Sequence, residues 1–407
     1  MRRAWFLTIP VCLLAVVGLA QDDVPATQAA ATQQPRYLYV WAGHEARTQS
    51  DALLVVDIVP DSPTYSKVTY TVPVGSVGNE PHHIGLSPDG STIVAGGLLS
   101  GRVFFFDIKS DPTRPQLVKI FDAQAVGLGV PDEVKPLPGR GVLVSMMGDH
   151  HAASPGGIVL FDTRAELLAR GDSAPPDPNI NVHDFDVNPA ANLLISTDFL
   201  IPHTLIEGAP SVRDTVRIWD LNSLRIRHTL RIGQGPWITK FLPGTRKALV
   251  SCFLDGTLWL VDASYNPPTA QKVLDFDGDT NNSMPSIMEI SRDGRWMFEA
   301  LYGLNKVVQY DISDPTRPRL VSEVVTGQGP HYIRLSPDGK RLFVSNYFIE
   351  AGKTVLKGDN HVKLIRIEDN RMQLDPAFDV DLNNASAYAP TALIPQGKMR
   401  PHGLVVQ

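Results

Sequence analysis

The chain has 407 residues, of which 43% are hydrophobic and 20% are charged, and its formal net charge is −6. These values are typical of a globular protein, and they exclude a disordered chain or a protein with many membrane spans. The negative charge gives no support to nucleic-acid binding, and two cysteines exclude a disulfide scaffold or a four-cysteine zinc site.

The first predicted element is an export signal. Arg2 and Arg3 precede a mostly apolar run over 6–17, and small residues follow at 18 and 20. This order is typical of a secretory signal peptide, and the run is too short to span a ~30 Å hydrocarbon core comfortably. We predict a cleaved signal peptide over 1–20, a flexible linker over 21–35, and a periplasmic or extracellular protein without a membrane anchor. The alternative is an uncleaved anchor.

A repeat occupies the rest of the chain. The segment PHHIGLSPDG (81–90) returns as PHYIRLSPDG (330–339), and DIKSDPTRPQLV (107–118) returns as DISDPTRPRLV (311–321). Degenerate copies of the first segment begin at residues 131, 182, 236 and 285, and a truncated copy, PHGLVV, occupies 401–406. Each copy combines short strand-like runs with Pro-Asp-Gly-like turns. Four short strands repeated about every 50 residues are typical of the blades of a β-propeller.

The two ends of the chain complement each other. The last copy supplies only a first strand, over 403–406, whereas the N-terminal part supplies three further strands over 37–41, 53–58 and 67–72. Together they make one blade, which closes the ring and hides its sheet edges. We therefore predict an all-β fold, a seven-bladed β-propeller over 36–407 whose N- and C-terminal strands share one blade.

The predicted central channel concentrates histidines. The first strand of each blade is expected to line the channel, and the turn proline fixes its register. At the position that enters this strand, the seven copies hold His82, Asp132, His183, Trp237, Ser286, His331 and His402. Four of these residues are histidines, although the whole chain has only 11. The adjacent positions add His83, Glu133 and Asp184.

Imidazoles and carboxylates that converge in a water-accessible cavity are suitable donors for a transition metal. We predict a metal site whose ligands are His82, His83, His183, His331 and His402. Copper, zinc, iron and nickel all accept such donors. The alternative is that each histidine is only a solvated or hydrogen-bonded residue at the start of a strand.

The sequence leaves the roles of five loop histidines and of Trp237 open. The loops between second and third strands hold His44, His150, His151, His203 and His361. Each of these histidines is either a further ligand or an exposed loop residue. Trp237 is either a lid on the channel or a core residue.

Several further segments are distinctive, among them YLYVW (37–41), EPHH (80–83), DPTRPQL (111–117) and GGIVLFD (156–162). They resemble segments of the selenium-binding protein family, whose better-characterised members are methanethiol oxidases. The resemblance implies a copper-dependent oxidase that turns methanethiol, O₂ and water into formaldehyde, hydrogen sulfide and hydrogen peroxide. It also implies histidine ligands for copper, and His82 and His83 match the family pattern.

Two departures from the family concern cysteines. Ser66 follows the SPTY segment (62–65), where the family has the cysteine linked to selenium. IGLSPDG (84–90) replaces a cysteine-rich segment that follows the paired histidines in the family. These departures argue against selenium binding and leave the thiol specificity open.

Three functional hypotheses follow. The leading one is a copper-dependent oxidase of small thiols, in which Asp132 or Glu133 takes the substrate proton because a carboxylate beside a metal is a plausible base. The second is a non-catalytic propeller that binds a metal or a partner with the same face. The third, a lactonase-type hydrolase, is disfavoured because such sites are rich in carboxylates rather than histidines.

Overall fold

The strand-like runs of the repeat pair into seven antiparallel sheets of four strands each. The structure is a computed structural model that describes residue 1 and residues 35–171, 177–278, 282–384 and 397–407. The predicted signal peptide and linker, apart from residues 1 and 35, lie outside the described residues.

In each blade, the four strands follow one another from the channel outwards. Blade 1 contains β30 (Met399–Val406), β1 (Tyr37–His44), β2 (Ala52–Asp57) and β3 (Val68–Pro73). Blade 2 contains β4 (Pro81–Leu86), β5 (Thr92–Gly97), β6 (Arg102–Asp107) and β7 (Gln116–Asp122). Blade 3 contains β8 (Leu128–Leu137), β9 (Gly141–Asp149), β10 (Gly157–Phe161) and β11 (Leu167–Gly171). Blade 4 contains β12 (Val182–Asn188), β13 (Leu193–Leu200), β14 (Val212–Asp220) and β15 (Arg225–Arg231).

The remaining blades have the same order of strands. Blade 5 contains β16 (Pro236–Phe241), β17 (Lys247–Cys252), β18 (Thr257–Asp262) and β19 (Thr269–Asp275). Blade 6 contains β20 (Pro285–Ile290), β21 (Trp296–Leu301), β22 (Lys306–Asp311) and β23 (Arg319–Val325). Blade 7 contains β24 (Tyr332–Leu335), β25 (Arg341–Ser345), β28 (His361–Glu368) and β29 (Arg371–Asp381).

Short elements are inserted between some strands. A hairpin of β26 (Ile349–Ala351) and β27 (Thr354–Leu356) interrupts blade 7, and the helix α1 (Pro202–Ile206) interrupts blade 4. Single 3-10 turns lie at Ala123–Val126, Pro189–Ala191 and Tyr302–Leu304. Across the described residues, no helix combines the length and the apolar character that crossing a bilayer requires.

The two chain ends close the propeller as predicted. β1 pairs with β2 on one side and with β30 on the other, and Tyr39 faces Val405 in this second pairing. The first strand of each blade also contacts the first strands of both neighbouring blades, including β30 with β4 and with β24. The predicted seven-bladed ring with one shared blade is therefore confirmed.

The core lies between the faces of neighbouring blades. Strands in the middle of a blade, such as β2 and β17, are buried along almost their whole length, because both faces of the sheet are covered. Outer strands such as β7 and β15 alternate between exposed and half-buried residues. This packing gives the first strands a rigid support, and the functional residues stand at their entrances.

Candidate metal centre

A β-bulge at the start of the first strand recurs in six of the seven blades. In blade 2, Pro81 faces Gly97 and Ile84 faces Ala95, so three steps along β4 match two steps along β5. Blades 1, 3, 4, 5 and 6 have the same excess of one residue at this place. Neighbouring side chains of a regular strand point to opposite faces, whereas a bulge re-aims one of them. The bulge therefore explains how His82 and His83 both reach the centre.

The backbone just before the bulge is also unusual. The residue that precedes the entry proline has a positive φ in five blades: Glu80 (53°), Val130 (57°), Gly235 (63°), Met284 (46°) and Gly329 (73°). Three of these residues are not glycine, and such a conformation costs on the order of 1–3 kcal/mol. These five blades thus share one entry conformation, which aims the following side chains at the channel.

Five histidines from four blades meet at the channel entrance, and we call them the histidine cluster: His82, His83, His183, His331 and His402. The centroid of the His82 ring lies 3.9 Å from that of His402, and His331 lies 4.6 Å from His402. His83 connects this group to His183, with ring centroids 5.8 Å apart. The predicted convergence of these side chains is therefore present in the structure.

Asp132 joins the cluster from blade 3. One of its oxygens, Oδ2, lies 3.4 Å from His183 Nε2 and 3.9 Å from His82 Nε2. Two sets of three residues have potential ligand atoms within 4.8 Å of one another. They are His82 with His83 and His402, and His82 with Asp132 and His183.

The expectation of a water-accessible cavity was wrong. The five histidines are at most 1% exposed. An aromatic cover lies against them, formed by Phe199, Trp237, Phe253 and Phe348. Trp237 lies 3.7 Å from His183 between ring centroids, and Phe348 stacks on His331 at 4.1 Å. Trp237 thus combines the two roles left open by the sequence, because it is buried and also covers the cluster.

Burial keeps these imidazoles neutral. It is the largest cause that lowers the pKa of each histidine in the cluster, and it brings the pKa of His183 to about 3. Neighbouring imidazoles, such as His402 beside His82, lower these pKa values further. A neutral imidazole is the form that binds a metal ion.

Many polar atoms of the site have no hydrogen-bond partner among the described residues. They are His82 Nδ1, His83 Nε2, His183 Nε2, both ring nitrogens of His331 and His402, and both oxygens of Asp132. Each unpaired buried polar group costs about 1–3 kcal/mol, so such a concentration needs an explanation. Neutral nitrogens combined with one carboxylate fit a transition metal. The histidine-rich site could therefore hold a metal.

Two histidines have a fixed orientation. His83 Nδ1 lies 2.5 Å from Glu133 Oε2, and His183 Nδ1 lies 2.9 Å from the carbonyl oxygen of Trp237. When Nδ1 donates its proton to these oxygens, Nε2 presents a lone pair to the centre of the cluster. Such oxygen partners commonly orient metal-binding histidines.

The two predicted acid/base residues have different surroundings. Glu133 pairs with Lys135 Nζ at 2.7 Å; burial opposes its ionisation, but Lys135 and His83 outweigh this effect and hold the pKa of Glu133 well below its usual value. Burial, with the charges of Glu133 and Asp184, raises the pKa of Asp132 well above its usual value. Glu133 is thus engaged in orienting His83, whereas Asp132 faces the cluster, and neither of its oxygens has a hydrogen-bond partner among the described residues.

The structure does not bring the five loop histidines into the cluster. His361 Nδ1 lies 2.6 Å from Asp379 Oδ1, and His203 Nδ1 lies 3.2 Å from the carbonyl oxygen of Ala152. The exposed pair His150 and His151 have ring centroids 3.8 Å apart. Neither these residues nor His44 belong to the two potential ligand sets found in the described part of the chain.

A buried network of ion pairs and hydrogen bonds around Glu80, beside the cluster, was not predicted from the sequence. Glu80 Oε2 lies 2.9 Å from Arg47 Nη2 and 3.2 Å from Arg400 Nη2. Glu80 Oε1 accepts hydrogen bonds from the Tyr347 hydroxyl at 2.7 Å and from the Glu350 amide at 3.0 Å. The network ties the hairpin β26–β27 to the strands that carry His82 and His402. One signal was present in the sequence, since Glu80 and Arg400 each stand two residues before a histidine of the cluster.

The fold and the site together define a seven-bladed β-propeller with a buried histidine cluster at its channel entrance. The family model described as 56 kDa selenium binding protein matches residues 22–394, so the chain belongs to this family. The resemblance found in the sequence is therefore confirmed.

Known proteins similar to this chain include two enzymes. The methanethiol oxidase of Hyphomicrobium sp is 28% identical over 382 residues, which cover 88% of this chain and 86% of that protein. The methanethiol oxidase of Xenopus tropicalis is 26% identical over 419 residues, which cover 81% of this chain and 86% of that protein.

Solved structures agree on the fold. A hypothetical selenium-binding protein from Sulfolobus tokodaii has a TM-score of 0.78 at 21% identity, over 93% of this chain and 94% of the other. The periplasmic gluconolactonase of Pseudomonas aeruginosa has a TM-score of 0.61 at 15% identity, over 91% of this chain and 98% of the other. At these identities the likeness concerns the fold alone.

Proposed function

We propose that this protein is a copper-dependent oxidase of small thiols, similar to methanethiol oxidase. Methanethiol, O₂ and water would yield formaldehyde, hydrogen sulfide and hydrogen peroxide. The observation that carries the proposal is the set of seven buried imidazole nitrogens that lack hydrogen-bond partners among the described residues and belong to one cluster. The names of the relatives support the same chemistry.

The cluster offers the donors that copper would need. The five histidines would hold the ion through the nitrogens that have no hydrogen-bond partner among the described residues. Bound copper would supply the redox chemistry that a thiol and O₂ require. Zinc, iron and nickel accept similar donors, so the identity of the metal is a separate question for experiment.

The side chains around the cluster have distinct roles in this proposal. Asp132 accepts the thiol proton, because Oδ2 faces His82 and His183 and a bound copper ion would favour the ionised carboxylate that burial otherwise disfavours. Glu133 orients His83 through the 2.5 Å contact with Nδ1. Trp237 and Phe348 exclude water, which strengthens electrostatic interactions at the reacting groups.

The first measurement is the metal content of the protein. Elemental analysis and EPR of the purified protein are expected to give about one copper per chain with nitrogen coordination. Oxygen uptake is then measured with methanethiol, together with formaldehyde, sulfide and peroxide, and a sample stripped with chelator is the control. Full thiol oxidation by the copper-free sample would overturn the proposal.

A metal-binding propeller without turnover is the second candidate. The burial of the cluster favours it, because the histidines are at most 1% exposed while a substrate needs a path to them. Stoichiometric copper without oxygen uptake, for any thiol tested, would support this candidate over the oxidase.

We also propose that the protein is exported. The basic start, the short apolar run and the small residues at 18 and 20 support this proposal. N-terminal sequencing of the protein recovered from a periplasmic or culture fraction is expected to begin near Gln21. A start at Met1 in the membrane fraction would favour the uncleaved anchor.

A further inference from the structure

A cavity of about 260 Å³ lies beside the aromatic cover. Its walls are mainly apolar, formed by Leu98, Val130, Met147, Leu200, Ile349 and Ala351 among others. Polar groups stand at one side, where Asp149 and the exposed pair His150 and His151 contribute to the lining. The cavity therefore combines an apolar interior with one polar side.

The cavity wall is continuous with the cover of the histidine cluster. Ile349 directly follows Phe348, which stacks on His331, and Leu200 directly follows Phe199, which lies 5.6 Å from His183 between ring centroids. Val130 stands two residues before Asp132. The six wall residues named above also belong to one hydrophobic cluster with Trp237. The cavity wall and the aromatic cover thus share chain segments and one hydrophobic cluster.

Two insertions build the roof of the cavity. The hairpin β26–β27 contributes Ile349 and Ala351, and α1 contributes Leu205 and Ile206. The hairpin and the helix are joined where the Thr354 hydroxyl donates to the carbonyl oxygen of Leu205 at 2.7 Å. A four-stranded blade needs neither element, and both line the cavity.

Size and lining indicate the occupant. An apolar cavity of about 150 Å³ is large enough to bind benzene, so this one has room for a hydrocarbon group of six or more carbons. The single methyl group of methanethiol would leave most of it unfilled. On the proposed function, the occupant also carries a thiol that must reach the adjacent cluster.

We infer that the cavity binds the hydrocarbon chain of the substrate, and that the preferred substrate is a thiol larger than methanethiol, with a chain of about six carbons or more. This inference rests on the proposed oxidase function. Burial of each additional methylene is expected to raise kcat/KM about fourfold until the cavity is full.

The test separates binding from turnover. Calorimetry on the metal-free protein compares 1-hexanol with methanol as unreactive probes, and the copper-loaded protein is assayed with methanethiol and 1-hexanethiol. We expect binding of hexanol but not of methanol, and a higher kcat/KM for hexanethiol than for methanethiol. Equal weak binding of both alcohols would overturn the inference.

Variants locate the effect. Ala351→Phe is expected to fill the cavity and weaken hexanol binding by at least about tenfold, and Leu205→Trp, at a half-buried wall position, gives the same test if Ala351→Phe fails to fold. Val355→Phe, on the exposed strand of the same hairpin, is the control and should retain hexanol binding. Unchanged hexanol binding in a folded Ala351→Phe variant would contradict the cavity assignment.

Hexanol binding that depends on the cavity, without oxidation of any thiol, would overturn the proposed function but keep the cavity as a hydrocarbon site.

Discussion

The two parts of the propeller channel share one backbone feature, the β-bulge at the strand entrance, but carry different side chains there. Blades 1 to 4 and blade 7 place histidines and carboxylates at the strand entrance, whereas blades 5 and 6 place Trp237 and Ser286 there. The bulge is present in blades 5 and 6 as well. Trp237 covers His183, and Ser286 donates its hydroxyl to the carbonyl oxygens of Ala300 and His331. In the six blades that have it, the bulge therefore sets where the entry side chain points, and the residue at that position decides the chemistry; in blade 7, His331 reaches the cluster without a bulge.

Two buried glutamates, one in blade 3 and one in blade 6, also differ in their surroundings. In blade 3, Lys135 compensates the charge of Glu133 at 2.7 Å. In blade 6, Glu299 is fully buried, and neither of its oxygens has a hydrogen-bond partner in the described part of the chain. Burial raises the pKa of Glu299 to about 8. Glu133 is thus paired with a lysine and ionised, whereas burial keeps Glu299 protonated.

The largest effect on metal binding is expected from removing one proposed histidine ligand. His402→Ala should weaken metal binding by more than about 100-fold, because loss of an outer partner of a ligand alone costs about 10- to 100-fold. Ser286→Ala changes the equivalent position of blade 6 and should leave the metal content unchanged. Elemental analysis of both variants after dialysis measures the difference.

Equal metal loss in these two variants would break the comparison between the two parts of the channel. Thermal unfolding is recorded for both, so that loss of metal through loss of fold is recognised. Full metal content in a folded His402→Ala variant would remove His402 from the ligand set.

The next largest effect is expected at Asp132, the carboxylate that faces the histidine cluster. Asp132→Asn keeps the shape of the side chain but removes the base, so kcat for thiol oxidation should fall by about 100- to 10,000-fold. The copper content should remain. Loss of copper in this variant would instead make Asp132 a ligand. Steady-state oxygen uptake and elemental analysis on the same sample distinguish the two roles.

The convergence of the histidines could be predicted because the repeat carries its own register. The turn proline marks the same strand position in most copies, so His82, His183 and His331 could be aligned without a structure. Burial of the cluster could not be predicted in this way. Phe348 belongs to the segment that leads into an inserted hairpin, and Phe199 lies at the end of a strand, so neither follows the repeat.

The pairing of His82 with His83 shows a second limit of pattern analysis. Strict alternation would place one of them away from the channel. The extra residue that brings them together appears only when β4 is paired with β5. Likewise, the Glu80–Arg400 contact joins residues 320 positions apart, and only closure of the ring brings these two positions together.

The aromatic part of the channel is tested by Trp237→Ala. This substitution should lower the free energy of unfolding by about 3–5 kcal/mol, because it removes a buried indole from a packed cluster. Trp296→Ala, at a half-buried position of blade 6, is the control and should cost much less. Denaturant unfolding of both variants gives the two values. A small effect at Trp237 would show that the cover contributes little to stability.

The smallest effect concerns the pH dependence of stability, and it tests the contrast between the buried carboxylates Glu133 and Glu299. Between its ordinary pKa of 4.5 and the raised value of about 8, native Glu299 retains a proton that the unfolded chain has released. The free energy of unfolding therefore falls as pH rises through this range, by up to about 1.4 kcal/mol per pH unit from this group. Glu299→Gln should remove that contribution, whereas Glu323→Gln, at an exposed position of the same blade, should not. Denaturant unfolding at pH 5, 6, 7 and 8 gives the slopes, and identical slopes for wild type and Glu299→Gln would mean that Glu299 is ionised in the folded protein.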